Sequence, residues 1–255
     1  VTVRIEPDEG FLVRDVSAVY GDYRLVEVTA QPDGTYTFVM PDADVAVSVL
    51  LGCDGGNRCP SRRFADVDTS QWYHDSLDWA VVHGVLEGYG NTGLMKPDSP
   101  ITRAEMAQVL WNLEGRPAAH GGALAFDDVA EGDWFARAVA WASSVGIFQG
   151  YGDTGLFGPD DVLTREQSAA VMMRWERLCG EDVSDRADLS LFPDANETSD
   201  WATESVSWAV AADIIRGVGQ PDGSLLIDAQ GECSRAQVAT LLMRLRAADP
   251  LDPFA

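Results

Sequence analysis

Ile101-Thr102-Arg103-Ala104-Glu105 is written twice more along this chain, as Leu163-Thr164-Arg165-Glu166-Gln167 and as Cys233-Ser234-Arg235-Ala236-Gln237. In each copy Thr or Ser stands three residues before Glu or Gln, the capping box that satisfies the first orphan amides of a helix. Each copy also closes a longer repeated sentence. The first runs Phe64-Ala-Asp66-Val67, Trp72, Trp79-Ala80, Gly84, Gly88-Tyr89-Gly90 and Pro97. The second answers with Phe126-Asp-Asp128-Val129, Trp134, Trp141-Ala142, Gly146, Gly150-Tyr151-Gly152 and Pro159. In the third stand Phe192-Pro-Asp194-Ala195, Trp201, Trp208-Ala209 and Gly217-Val-Gly219. The leading phenylalanines are 62 and 66 residues apart, so the repeating unit is a whole supersecondary element and not a short solenoid turn. A unit written three times predicts three copies of one surface, and so multivalent binding.

Within a unit the spacing predicts helix–loop–helix. Ser70 caps a first helix carrying Trp72, Leu77, Trp79, Ala80, Val81 and His83, and Gly84 ends it. A second helix opens at Thr102, with Val109, Leu110 and Leu113 as its apolar stripe; Val171, Met172 and Trp175, then Leu241, Leu242 and Leu245, hold the same places later. One such unit is too small to bury its own stripe, so three should pack into one all-α domain.

Residues 1–52 follow another grammar. Val1, Val3 and Ile5, then Tyr36, Phe38 and Met40, then Val45, Val47 and Val49 alternate with period two, and Pro32-Asp33-Gly34 and Pro41-Asp42 supply turns. This predicts a small all-β module of about five strands whose thin core leans on a neighbour. Residues 53–63, rich in Gly and Arg, read as a linker.

The 255 residues carry 41 acidic against 18 basic side chains, a net charge of −23, and 46% are hydrophobic. The apolar share is that of a folded chain. The negative field excludes nucleic acid and anionic membranes as general partners, while leaving room for an anion held by a few placed arginines. No apolar run approaches the ~20 residues of a membrane span. With no signal peptide in view and Val1 at its start, the chain reads as a fragment, the C-terminal end of a longer exported protein. Cys53 and Cys59 flank a flexible loop that can close as a disulfide, and Cys179 and Cys233 can form a second; Cys233 alternatively reads as a buried small hydrophobe. Zinc is disfavoured, since CxxC spacing and a nearby His are absent, so no metal or cofactor is expected.

The capping boxes account for Thr/Ser and Glu/Gln but not for Arg103, Arg165 and Arg235, each a cation in the first turn, where the macrodipole disfavours it. Free amides plus a guanidinium form a seat for a carboxylate. The alternative is an ion pair with Asp66, Asp128 or Asp194. Trp72, Trp134 and Trp201 divide evenly between ligand contact and core, whereas Trp79, Trp141 and Trp208 read as core. Gly88-Tyr89-Gly90 and Gly150-Tyr151-Gly152 need glycine for backbone shape or for close approach of a ligand.

Phe-x-Asp-Val, Trp-(Tyr/Phe), Trp-Ala, Gly-Tyr and Ile-Thr-Arg-Ala-Glu, in this order and three times, resemble the S-layer homology (SLH) domain in its usual triplet. Its copies here are residues 64–117, 126–180 and 192–247. The resemblance implies a pseudo-threefold spindle with ligand grooves between adjacent repeats, preceded here by the β module. It implies an extracellular protein, held non-covalently on the bacterial cell wall or in an S-layer through secondary cell-wall polysaccharide, often by a pyruvate-ketal sugar. It assigns ligand binding to Arg103, Arg165 and Arg235, with Asp66, Asp128, Asp194, Trp72, Trp134 and Trp201 as weaker transfers. Arg103 sits in the copy nearest the family pattern. The third copy lacks the loop tyrosine, so its loop is expected to be remodelled and its groove silent; Glu166 is expected to damp the field of Arg165. Gly34-Thr35-Tyr36-Thr37-Phe38-Val39-Met40-Pro41-Asp42-Ala43-Asp44-Val45 likewise resembles internalin-type B-repeats, which serve as spacers or stalks.

Two other classes compete. A protein-docking module of a surface assembly fits the repeats, but the acidic loops at Asp153 and Asp222 lack the alternate acids and final Glu of an EF-hand. Catalysis by the chain itself is not expected: His74, His83 and His120 follow no repeat, and no nucleophile-elbow, zinc or Walker signature is present. An accessory role beside an upstream cell-wall-active enzyme stays open.

Overall fold

The computed structural model describes residues 1–21, 24–121 and 126–247. The N-terminal region is all-β as the alternation predicts, with six strands among its described residues instead of about five. β1 (Thr2–Arg4), β5 (Thr35–Thr37) and β4 (Thr29–Ala30) form one antiparallel sheet in the order β1-β5-β4. β3 (Arg24–Leu25), β2 (Phe11–Tyr20) and β6 (Val45–Cys53) form a second, in the order β3-β2-β6. Its buried apolar set is small, chiefly Val16, Ala18 and Phe38. A bulge between Val13 and Asp15 breaks the β2–β6 register, and Arg14, the bulged residue, bonds Asp75 and the Cys53 carbonyl at 3.0 Å each. The β region therefore does lean on its neighbour.

Beyond it the described residues form six α-helices: α1 (His74–Val82), α2 (Arg103–Leu113), α3 (Ala136–Ser144), α4 (Arg165–Cys179), α5 (Thr203–Ala211) and α6 (Arg235–Ala247). The predicted capping boxes form. Thr102 and Glu105 exchange side-chain and backbone bonds, as do Thr164 with Gln167 and Ser234 with Gln237. α1 starts later than expected, at His74. Ser70 is instead bound into a turn by Asp68, at 2.9 Å to its amide and 2.7 Å to its hydroxyl. Trp72 thus precedes the helix and shares no face with Trp79.

The apolar stripes are buried between repeats: α2 packs on α3, α4 on α5, and α6 returns to α1. The motif segments pair in the same cyclic sense, Pro100 with Ser234, Thr102 with Val162, and Thr164 with Glu232. One continuous core follows, built on Leu77, Met106, Leu110, Leu163, Met172, Trp175 and Leu242, with Trp79, Trp141 and Trp208 buried inside it. At about 25 cal/mol per Å² of apolar surface, this shared burial is what makes three marginal units one stable body.

Loops between paired helices carry the repeat's differences. The glycine at Gly88 and Gly150 lets a phenylalanine ring lie against the backbone: an added Cβ would meet Phe64 Cε1 or Phe126 Cε1 at 2.5 Å. In the third copy the loop is a two-stranded hairpin, β7 (Val218–Gly219) with β8 (Leu225–Leu226).

Neither expected disulfide is formed in this structure, and distance excludes the Cys179–Cys233 pairing. All four cysteines are free thiols. Cys233 is buried beside Ser168 near the start of α4, whereas Cys179 ends that helix, roughly 16 Å away at 1.5 Å per residue and beyond the span of a disulfide. Among the described residues no helix is long and apolar enough to cross a membrane.

Candidate functional site

The helix N-termini are not open anion seats. Arg103 and Ala104 donate their amides to Asp161 and Pro159 carbonyls at 2.9 and 3.1 Å. Arg165 and Glu166 donate to Gly231 and Ala229, and Arg235 and Ala236 to Ser99 and Pro97, all at 2.9–3.0 Å. The neighbouring repeat's carbonyls thus cover the positive end of each dipole. They also explain how a cation is tolerated there.

Nor do the arginines pair with the repeat aspartates. All three are buried, and each crosses to the next repeat in the cycle. Arg103 donates from Nε to the Phe157 carbonyl and from Nη2 to the Gln149 carbonyl, both at 2.8 Å. Its guanidinium lies 4.7 Å from the Tyr151 ring centroid and 4.9 Å from that of Phe157. Arg235 repeats this on the first copy, donating to Met95 and Glu87 carbonyls at 2.9 Å each under Tyr89, 4.6 Å away. Glu105 adds a carboxylate 3.6 Å from Arg235 Nη1.

The aspartates complete the arrangement. Asp66 accepts the amides of Met95 and Lys96, Asp128 those of Phe157 and Gly158, and Asp194 those of Ile227 and Asp228, all at 2.7–2.9 Å. Burial alone would raise the Asp128 carboxyl, but its two amide donors outweigh that and hold it below the usual range. Met95, Phe157 and Ile227 are thereby gripped twice, at N–H by an aspartate of their own repeat and at C=O by an arginine of another. Asp66, Asp128 and Asp194 have both carboxylate oxygens engaged in positioning these loops.

Arg165 departs from the other two. Its Nε bonds the Ile227 carbonyl at 2.9 Å, and among the described residues the guanidinium has no second hydrogen bond, no carboxylate partner and no aromatic cover. The missing loop tyrosine is the reason: Val218 stands where Tyr89 and Tyr151 close the other seats. Those tyrosines are tied down, Tyr89 to Glu105 at 2.6 Å and Tyr151 to Asp161 at 2.8 Å, and burial followed by the Glu105 bond pushes Tyr89 up to about 12. Glu166 turns away to Ser199 and Gln230, at 2.9–3.0 Å.

Arg165 opens onto a groove of about 430 Å³ lined by Trp72, Gln237, Thr240, Arg216, Arg244 and the Ile215–Gly219 segment. Arg216 is held by Asp213 at 2.9 Å, and Arg244 by the Ile214 carbonyl at 3.0 Å. Burial, then repulsion from Arg216, lowers the Arg244 guanidinium from its ordinary value, with Arg165 adding to the effect. Three arginines on one groove leave positive charge in excess on a chain of net −23. The third loop, expected to be remodelled, is the β7–β8 hairpin, and its Val218 and Gly219 line this groove.

Trp72, Trp134 and Trp201 are 62%, 64% and 57% exposed, far from core tryptophans. Arg216 and Arg244 were missed by the motif reading. A signal for Arg244 existed: Arg174 holds the same place after the second motif and bonds the Ile147 carbonyl as Arg244 bonds Ile214. The first copy has Asn112 there. His120 donates its backbone amide to Ser144 from an exposed loop and does not line this groove.

Comparison with known proteins agrees with this architecture. The S-layer homology domain matches residues 63–107, 125–169 and 191–239. The chain is 29% identical over 198 residues to exoglucanase XynX of Acetivibrio thermocellus, covering 77% of this chain and 17% of that protein. It is 32% identical over 175 residues to the surface-layer 125 kDa protein of Lysinibacillus sphaericus, covering 69% and 14%. It is 30% identical over 170 residues to the cellulosome-anchoring protein of Acetivibrio thermocellus, covering 66% and 36%. The chain thus spans a minor part of each relative, and the enzyme among them is matched over a small fraction of its length. With three matched copies and a closed cycle of repeats, the chain belongs to the S-layer homology domain family.

Proposed function

We propose that residues 64–247 form a pseudo-threefold anchor that holds a larger extracellular protein on the bacterial cell wall by binding an anionic wall polysaccharide. The cyclic helix pairing and the relatives' surface-layer and anchoring names support this reading. The observation that carries it is the Arg165 groove. A buried guanidinium with one satisfied N–H, flanked by Arg216 and Arg244 beside an exposed tryptophan, suits a sugar ring bearing a carboxylate. A pyruvyl ketal is such a group: its carboxylate would meet Arg165, and Trp72 would lie against the ring.

Arg103 and Arg235 are largely consumed by the loops they cross, so the Arg165 groove is the principal site and the other two are secondary. The chain itself is non-catalytic in this reading, and the β region is a spacer toward whatever precedes it. Co-sedimentation with purified wall polysaccharide tests the proposal. Binding should fall at least tenfold in Arg165→Ala and on removal of the pyruvyl group, as loss of one charge-assisted contact implies. Unchanged binding in both would refute it; binding to a surface-assembly protein but not to polysaccharide would favour docking.

A further inference from the structure

Away from the grooves, where β6 meets the first repeat, Cys53, Cys59, His74 and Asp78 are all buried, and one ligand atom from each lies within 4.8 Å of all the others. Three elements meet there: the last residue of β6, the turn after it, and α1, which presents His74 and Asp78 at i and i+4 on one face. His74 Nε2 lies 2.8 Å from Cys59 Sγ, 3.1 Å from Cys53 Sγ and 3.2 Å from Asp78 Oδ2. Cys59 Sγ is 3.1 Å from both Asp78 oxygens.

Hydrogen bonding does not account for this convergence. An imidazole Nε2 gives or accepts one hydrogen bond, yet three heteroatoms crowd it. Four atoms turned to one point are what a shared cation requires. We infer that Cys53, Cys59, His74 and Asp78 form a structural zinc site that fixes the β region to the first SLH repeat. Two thiolates, an imidazole and a carboxylate are borderline-soft donors in a closed set of four, the arrangement of non-catalytic Zn²⁺. Tetrahedral Zn²⁺ with bonds of about 2.0–2.3 Å sets its ligand atoms roughly 3.3–3.8 Å apart, so the contacts of 2.8–3.2 Å around His74 Nε2 have to open, by up to about 1 Å, within a group whose atoms all lie within 4.8 Å of one another.

The outer groups suit the same role. The Ser61 amide donates to Asp78 Oδ1 at 2.9 Å and the Gly55 amide to Cys53 Sγ at 3.2 Å, orienting two donors. Asp75 lies 3.9 Å from His74 Nδ1, and Arg14 joins Asp75 to the Cys53 carbonyl. For a β region with a thin core, the metal supplies attachment that apolar burial does not.

Metal analysis of the purified 255-residue chain tests this. About one zinc per chain should survive dialysis, and cobalt loading should give a thiolate-to-cobalt charge-transfer band with tetrahedral d–d absorption. Cys53→Ser/Cys59→Ser should lose the metal, whereas Cys179→Ser should keep it. Chelation of the wild-type chain should lower its melting temperature and expose residues 54–63 to protease. The cobalt spectrum is read on wild-type protein, so a misfolded variant does not decide the matter. The absence of both bound metal and the cobalt band in the reduced chain would overturn the inference. So would a Cys53–Cys59 disulfide in the native chain that binds no metal after reduction.

Discussion

Replacing Arg103 and Arg165 separately by alanine should pull stability and binding apart. Arg103 donates two hydrogen bonds of 2.8 Å to buried carbonyls of the next repeat and is roofed by Tyr151. Hydrogen bonds to a charged group contribute about 1.5–3 kcal/mol each, so Arg103→Ala should cost roughly 3–6 kcal/mol. Arg165 makes one such bond, to Ile227, and its alanine variant should cost about 1.5–3 kcal/mol. At roughly 2–4 °C per kcal/mol for a chain of this size, one bond's difference should separate the two melting temperatures by about 3–12 °C, with Arg103→Ala the lower. Polysaccharide affinity should run the other way, falling at least tenfold in Arg165→Ala and much less in Arg103→Ala. Differential scanning calorimetry and binding isotherms, the latter recorded below both transitions, measure the two quantities. Equal melting losses, or normal binding by Arg165→Ala with weak binding by Arg103→Ala, would refute the division of roles.

Gly150→Ala should destabilise by about 1–3 kcal/mol, because its Cβ would fall 2.5 Å from Phe126 Cε1 and 2.7 Å from the Leu156 carbonyl oxygen; urea titration reads the loss. Trp134→Ala, at an exposed site, should leave stability within about 0.5 kcal/mol, whereas Trp141→Ala in the core should cost about 3–5 kcal/mol by the same titration. The Asp128 carboxyl is held below its usual value, so its contribution is complete above the unfolded-state value near 4 and disappears as pH falls through the lower folded-state value. Asp128→Asn should therefore be less stable at neutral pH and show a shallower loss of melting temperature between about pH 5 and pH 2; a profile parallel to wild type would contradict the amide clamp.

Much of the fold was legible because it rests on local rules. Capping boxes at Thr102, Thr164 and Ser234, stripes at helical spacing and glycine punctuation are read from neighbours within a few residues. The same rules placed Trp79, Trp141 and Trp208 in the core. They misplaced Trp72, because Ser70 is a good cap by type but is taken by Asp68 in a turn. The repeated arginines were correctly marked as unusual, while the reason was half visible. Their compensating carbonyls, such as Phe157 for Arg103 and Met95 for Arg235, lie 54 and 140 residues away. The remodelled third loop was inferred from a missing tyrosine; the loop is a hairpin, and the same absence leaves Arg165 without an aromatic cover.

By itself, then, the sequence determined the repeat, the helix starts, the all-β region ahead of them and the family. Each is set by short-range patterning or by a motif that survives in linear order. The tertiary structure alone decided which arginine keeps free donors, which carbonyls cover the helix dipoles, and that Cys53, Cys59, His74 and Asp78 share one point. Those outcomes depend on closing the cycle of repeats and docking a sheet against its first helix. Such long-range closure brings together side chains whose spacing along the chain carries no sign of their meeting.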